Sequence, residues 1–136
     1  DFPRSLLSED SLEFSFSGLK TSLLYFMDEF KESSKINKHD VVASYQQAII
    51  DTLVEKVKRA LNHTRTQTCV IAGGVAANKS LRKSLSSSLS GKKIIYPDLS
   101  FCTDNAAMIS YLGEIKFRKN KQYPLDFSAT PNQKLD

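Results

Sequence analysis

The stretch TCVIAGGVAAN, residues 68–78, decides the fold of this chain. Its first five residues, 68–72, form a continuous apolar run that predicts a buried β-strand. Gly73 and Gly74 then allow a tight turn, and a helix is expected to begin near Ala76. Two glycines at the carboxyl end of a strand remove side chains where a ligand would approach. We therefore predict a strand, a glycine turn and a helix, although a tight turn that merely needs small residues would look the same.

The residues that follow complete a βαβ unit. Gly91 ends the predicted helix, residues 93–96 read as a second strand, and Pro97 ends that strand. Two strands joined by a helix are expected to be parallel, with a right-handed crossover. The fold class is therefore α/β. The helix is expected to bury Ala77, Leu81, Leu85 and Leu89.

The rest of the chain is predicted to be mainly helical. Apolar and polar residues alternate over 12–16, which predicts a short strand ended by Gly18, and a helix follows over 19–31. A long helix spans 40–62, and Asp40 can cap its start. A last helix follows residues 102–105. The first and last helices are expected to bury Leu23, Phe26, Met27, Phe30, Met108, Ile109, Leu112 and Ile115.

The chain is interpreted as a single incomplete lobe over residues 1–136. Residues 1–11 are expected to be an irregular lead-in, and residues 119–136 a loose basic tail. Two or three strands are few for three good helices, and the chain does not begin with Met. We therefore expect a truncated C-terminal part of a larger fold. Unpaired sheet edges and apolar helix faces also predict possible self-association.

Composition is typical of a globular protein, at 40% hydrophobic and 25% charged residues. No apolar run approaches the length of a membrane helix, and no signal peptide is apparent, which favours a cytoplasmic protein. Residues 1–50 carry five basic and eight acidic groups, a net charge of −3; residues 51–136 carry fourteen and seven, a net of +7. The positive part would attract RNA or a nucleotide, although on charge alone a solvated helix face is the favoured explanation.

Two polar residues could carry chemistry. Asn78, on the predicted first helical turn, could present its amide to a ribose or base. Asp104 begins the last helix on the carboxyl side of the predicted sheet, where its expected role is an ordinary N-cap, because a single carboxylate is not a metal site. His39 and His63 form no metal-binding pattern, and the two cysteines make no CxxC pair.

Three motifs together resemble one family. FSFSGLKT (residues 14–21), IAGGVAANKSLR (71–82) and CTDNAAMI (102–109), with the lead-in FPRSLL (2–7), resemble the tRNA threonylcarbamoyladenosine synthases. This is the TsaD/Gcp group, formerly labelled O-sialoglycoprotein endopeptidase. The CTDN variant is similar to the bacterial and mitochondrial branch, so a mitochondrial location is the alternative to the cytoplasm.

The resemblance implies an actin/Hsp70-like (ASKHA) fold with two lobes around a nucleotide cleft. It implies transfer of a threonylcarbamoyl group from its adenylate to the exocyclic amine of an adenosine beside the tRNA anticodon, with threonylcarbamoyl-adenylate or ATP as the nucleotide ligand. By the same resemblance, Asp104 is a ligand to one divalent metal, iron or zinc. Asn78 contacts the substrate, and Gly73 and Gly74 lie against the nucleotide. The implied partners are tRNA and the subunits TsaB and TsaE.

This chain departs from the family pattern in one important respect. The HxxxH motif that supplies the family's histidine ligands is absent. We therefore expect this chain alone to be inactive. The alternative hypothesis is a non-catalytic module of the same fold that binds a partner or RNA. A metalloprotease is disfavoured, because the chain has neither a zinc-protease motif nor a serine triad.

Overall fold

The computed structural model describes residues 1–4, 11–30 and 36–119. In these ranges the helices and strands are α1 (Ser17–Glu29), α2 (Lys38–Thr64), β1 (Thr68–Val70), α3 (Lys79–Ser88), β2 (Lys93–Ile95) and α4 (Ala106–Arg118). Short 3-10 turns at Gly74–Ala77 and Leu99–Phe101 precede α3 and α4. Most of the predicted basic tail, and residues 5–10 of the predicted lead-in, lie outside the described ranges.

The two strands confirm the predicted parallel pair and the α/β class. Thr68 pairs with Lys93, and the register continues to Val70 and Ile95. The amide of Ile71 also donates to the carbonyl of Ile95, with 3.0 Å between N and O. The pairing therefore extends one residue past β1, toward the glycine turn.

The larger core lies between α2, α3 and the sheet. Leucines four residues apart fall on one face of a helix. Leu81, Leu85 and Leu89 are all buried, which confirms the prediction for these three leucines. Partly buried Cys69 and Ile94, which are paired on the two strands, pack against this core. Its buried members are Ile50, Leu61, Leu81, Leu85 and Leu89.

A second core joins α1, α2 and the first residues of the chain. The ring of Phe2 meets Phe26 and Tyr45 edge-on, at centroid distances of 5.6 and 5.3 Å. The Arg4 guanidinium makes two hydrogen bonds to one carboxylate oxygen of Asp51, 2.8 and 3.1 Å long. The first four residues are therefore fixed against α2.

The predicted strand at residues 12–16 is wrong. These residues have no regular secondary structure, because no strand within the described residues lies beside them. The rings of Phe14 and Phe16 stack instead, and the Nζ of buried Lys56 donates to the carbonyl of Ser11 across 2.5 Å. α1 begins at Ser17, so Gly18 is its second residue and does not end a strand.

The predicted burial of α4 and of part of α1 is also wrong. No residue of α4 is buried by the described residues, and the side chain of Ile109 is 62% exposed. Met27 and Phe30 at the end of α1 are exposed as well. The apolar spacing predicted the helices correctly, but nothing within 1–4, 11–30 and 36–119 covers these faces. None of the helices in these ranges has the length and apolar character of a membrane span.

Candidate functional site at the carboxyl end of the sheet

The glycine turn follows β1 directly. Gly73 has φ +91° and ψ 172°, a conformation that residues with a Cβ rarely adopt. Its carbonyl accepts from the amide of Ala76 at 2.9 Å, which forms the 3-10 turn. A Cβ at Gly73 or Gly74 would meet no atom within 4 Å. The backbone conformation therefore requires glycine at position 73, whereas the space beside both glycines is open.

Asn78 is the N-cap of α3, which begins at Lys79, three residues after the predicted helix start near Ala76, a residue that lies in the 3-10 turn. Its Oδ1 accepts from the amide of Leu81 at 2.9 Å, and its Nδ2 donates to Oε1 of Gln46 at 3.0 Å. The 3-10 turn Gly74–Ala77 is separate from α3, because Asn78 returns to an extended backbone conformation before the helix begins. Each end of the Asn78 amide thus has one partner within the chain.

Asp98 shapes the segment that leads from β2 to Asp104. Its Oδ1 accepts from the backbone amide of Ser100 at 2.9 Å and from the Ser100 hydroxyl at 2.8 Å. These two hydrogen bonds, the backbone one first, hold the pKa of Asp98 below its usual range, and nearby Arg82 acts in the same direction. Cys102 follows the 3-10 turn with only 1% of its surface exposed.

Asp104 is not a helix cap. Asn105 caps α4, accepting from the amide of Met108 at 3.0 Å. Asp104 lies one residue earlier, is exposed, and makes no hydrogen bond or ion pair with another described residue. The interpretation of Asp104 as an ordinary N-cap is therefore wrong, and its carboxylate is available to a ligand.

One cleft brings the glycine turn and Asp104 together. It measures about 400 Å³ and lies where residues 72–74 leave β1 and residues 101–104 approach α4. The lining residues are Ala72, Gly73, Gly74, Phe101, Cys102, Thr103, Asp104 and Met108. Asn78 is not one of them, so the structure unites three of the four predicted site residues.

A larger groove, of about 790 Å³, lies between α2 and α3. Asp51 pairs with Arg4 and Glu55 with Arg59, while Lys83 also lines the groove. We do not regard this groove as the functional site, because neither the glycine turn nor Asp104 lines it.

The sequence analysis missed two residues of the site. Phe101 lines the cleft with 55% of its surface exposed, and Arg82 contacts the segments on both sides of it. Arg82 closes the IAGGVAANKSLR motif four residues after Asn78, so the motif itself could have singled it out.

The described residues do not form a complete metal site. They contain no group of three or more His, Cys, Asp or Glu side chains close enough to hold an ion. His39 and His63 lie in the first and last turns of α2, and Asp104 supplies a single carboxylate. One carboxylate binds a metal poorly by itself.

Comparisons with known proteins agree on one family. A family model described as TsaD, tRNA N6-adenosine threonylcarbamoyltransferase, matches residues 1–111. A Streptococcus pneumoniae (strain Taiwan19F-14) protein of that name is 44% identical over 138 residues, which cover 100% of this chain and 41% of that protein. A protein of the same name from Streptococcus sanguinis (strain SK36) is 41% identical over 133 residues, which cover 97% of this chain and 40% of that protein. The chain spans about two fifths of the length of these curated relatives.

Proposed function

The chain belongs to the TsaD family of tRNA N6-adenosine threonylcarbamoyltransferases, and from this premise we propose the activity of its natural-length protein. We propose transfer of threonylcarbamoyl from threonylcarbamoyl-adenylate to the exocyclic amine of an adenosine next to the tRNA anticodon. The observation that supports this proposal is the shared cleft of Gly73, Gly74 and Asp104. The 136-residue chain supplies only part of the active site and is inactive alone.

The proposed reaction is an acyl transfer. The adenosine amine attacks the carbonyl carbon of the threonylcarbamoyl group, the bond from that carbon to the phosphate oxygen breaks, and AMP leaves. The amine loses its proton to a base. The glycine turn lets the nucleotide approach the backbone at residues 73 and 74, and the cleft orients donor and acceptor. A contact between Asn78 and the substrate stays a prediction, because its amide already has two partners within the chain.

The proposed enzyme binds one iron or zinc ion. Asp104 is the residue of this chain that we propose as a ligand, since its carboxylate has no partner within the described residues. These residues do not complete a metal site, so we assign no step of the reaction to the ion.

The proposed partners are tRNA and subunits of the TsaB and TsaE type. The net charge of +7 over residues 51–136 supports attraction to the tRNA phosphates. The bacterial relatives and the CTDN motif support partners of the bacterial type and a cytoplasmic location.

The test is tRNA modification by the natural-length protein. The protein, with TsaB and TsaE, is incubated with threonylcarbamoyl-adenylate and a tRNA, and the digested nucleosides are analysed by mass spectrometry. We expect threonylcarbamoyladenosine as the product, none from the 136-residue chain alone, and none from a tRNA with guanosine at the target position. Binding of tRNA without any modified nucleoside would contradict the proposal and favour the RNA-binding module.

A further inference from the structure

Arg82 makes three contacts through one guanidinium group. Its Nε donates to the carbonyl of Ala76 at 2.5 Å, and its Nη2 lies 3.5 Å from the sulfur of Cys102. Its guanidinium carbon lies 4.6 Å from the centroid of the Tyr96 ring. A cation at this distance from an aromatic face is attracted to it.

These contacts reach the two segments that form the cleft. Ala76 belongs to the 3-10 turn Gly74–Ala77, which begins at the second glycine, and Cys102 lies two residues before Asp104. The Arg82 side chain itself does not line the cleft. It therefore connects the two segments that form the cleft without lining the cleft itself.

We propose that Arg82 is a positioning residue that sets the spacing between the glycine turn and Asp104. This inference rests on the proposed function, because it assigns a role within that site. Arg82 acts through its neighbours: it fixes the carbonyl of Ala76, two residues beyond Gly74, and the buried Cys102, which lines the cleft.

The geometry requires arginine specifically. A guanidinium is planar and can donate in two directions while it stacks on a ring, whereas an ammonium is a compact point charge. A lysine at position 82 could donate to Ala76 or approach Cys102, but it could not do both while lying on Tyr96. Lysine should therefore restore only part of the function.

The experiment compares Arg82→Met and Arg82→Lys in the natural-length protein. Arg59→Met is the matched control, because Arg59 is also partly buried on a helix and is paired with Glu55 at 3.0 Å, away from the cleft. The first readout is the rate at which iodoacetamide alkylates Cys102, located by peptide mass spectrometry. Half-buried Cys69, whose pKa is raised by burial, serves as an internal reference. The second readout is kcat/KM for tRNA modification, well below the melting temperature.

We expect iodoacetamide to alkylate Cys102 roughly tenfold faster in Arg82→Met than in the wild type. This is the effect of losing about one to two hydrogen bonds that hold the segment around Cys102 closed. The kcat/KM of Arg82→Met should fall at least about tenfold. Arg82→Lys should be intermediate in both readouts, and Arg59→Met should match the wild type in both. Wild-type alkylation of Cys102 in Arg82→Met would overturn the inference. So would equal acceleration at Cys69 and Cys102 together with a lowered melting temperature, which indicates general loosening. Absence of tRNA modification by the wild-type protein would contradict the proposed function instead, and the alkylation rates would still decide the role of Arg82.

Discussion

Asn78 is tied to Gln46 by a hydrogen bond of 3.0 Å from its side-chain nitrogen, while its oxygen caps α3. One amide thus joins the start of α3 to the middle of α2. Because the two bonds use different atoms, substitutions can remove them separately.

Asn78→Ala removes both bonds and should lower the free energy of unfolding by about 1–2 kcal/mol. Asn78→Asp keeps the cap acceptor and loses only the donor to Gln46, so its loss should be smaller, below about 1 kcal/mol. Urea denaturation measures both values. Calorimetry with ATP on the natural-length protein then tests the predicted substrate contact: weaker binding by a stably folded Asn78→Asp supports it. Unchanged ATP affinity leaves Asn78 as a structural residue.

Asp104→Asn should leave the melting temperature of the metal-free protein unchanged, because Asp104 has no partner within the described residues. Its matched control is Asn105→Ala, which removes the α4 cap and should destabilise the protein by about 1 kcal/mol. In the natural-length protein, Asp104→Asn should also lose most bound iron or zinc and most activity, since a neutral amide is a poor substitute for a carboxylate ligand. Metal analysis and the tRNA assay measure these losses. Wild-type metal content and turnover would reduce Asp104 to an ordinary surface residue.

Gly73→Ala and Gly74→Ala should differ although the residues are adjacent. A Cβ at Gly73 is strained at φ +91°, and alanine there should destabilise the fold by about 1–2 kcal/mol. Gly74 has no positive φ and open space beside it, so its substitution should change stability by less than about 0.5 kcal/mol. Thermal and urea unfolding distinguish the two. Equal destabilisation by both would show that the turn conformation differs from the one described.

Acid should weaken the Asp98 turn. Hydrogen bonds from Ser100 lower the folded pKa of Asp98, so its stabilising contribution is fully present above the unfolded value of about 3.9. This contribution is lost progressively as the pH falls below the unfolded pKa and then through the folded pKa. The difference in unfolding free energy between wild type and Asp98→Ala, measured by urea denaturation at a series of pH values, should therefore shrink below about pH 4. A difference that stays constant down to the lowest pH would contradict this assignment.

The βαβ unit could be predicted from the sequence because its signals are local. The apolar run at 68–72, the glycine turn and the leucines at 81, 85 and 89 each specify an element without reference to distant residues. The placement of Asp104 at the same end of the sheet as the glycine turn could also be predicted, since the carboxyl ends of parallel strands meet at one edge of a sheet.

Burial and capping could not be predicted as well, because they depend on neighbours and on the backbone path. Met108 and Ile109 have helical spacing, but no described segment covers them. Asn37 caps α2 instead of Asp40, and Asn105 caps α4 instead of Asp104. In each case an asparagine lay within three residues of the predicted cap, and only the backbone dihedrals decide which side chain faces the free amides. The motif could have singled out Arg82, but its contact with Cys102, twenty residues away, depends on the folded backbone path.

Among the described residues, the cleft is lined only by residues 72–74 and by residues 101–104 with Met108. Small-molecule sites generally enclose about 70–90% of the ligand surface, and two such short stretches would leave much of a bound nucleotide in contact with water. Differences in affinity are expressed mainly in the dissociation rate. A nucleotide bound to this chain alone would therefore have a short residence time, and the natural-length protein would prolong it by covering the exposed side of the ligand.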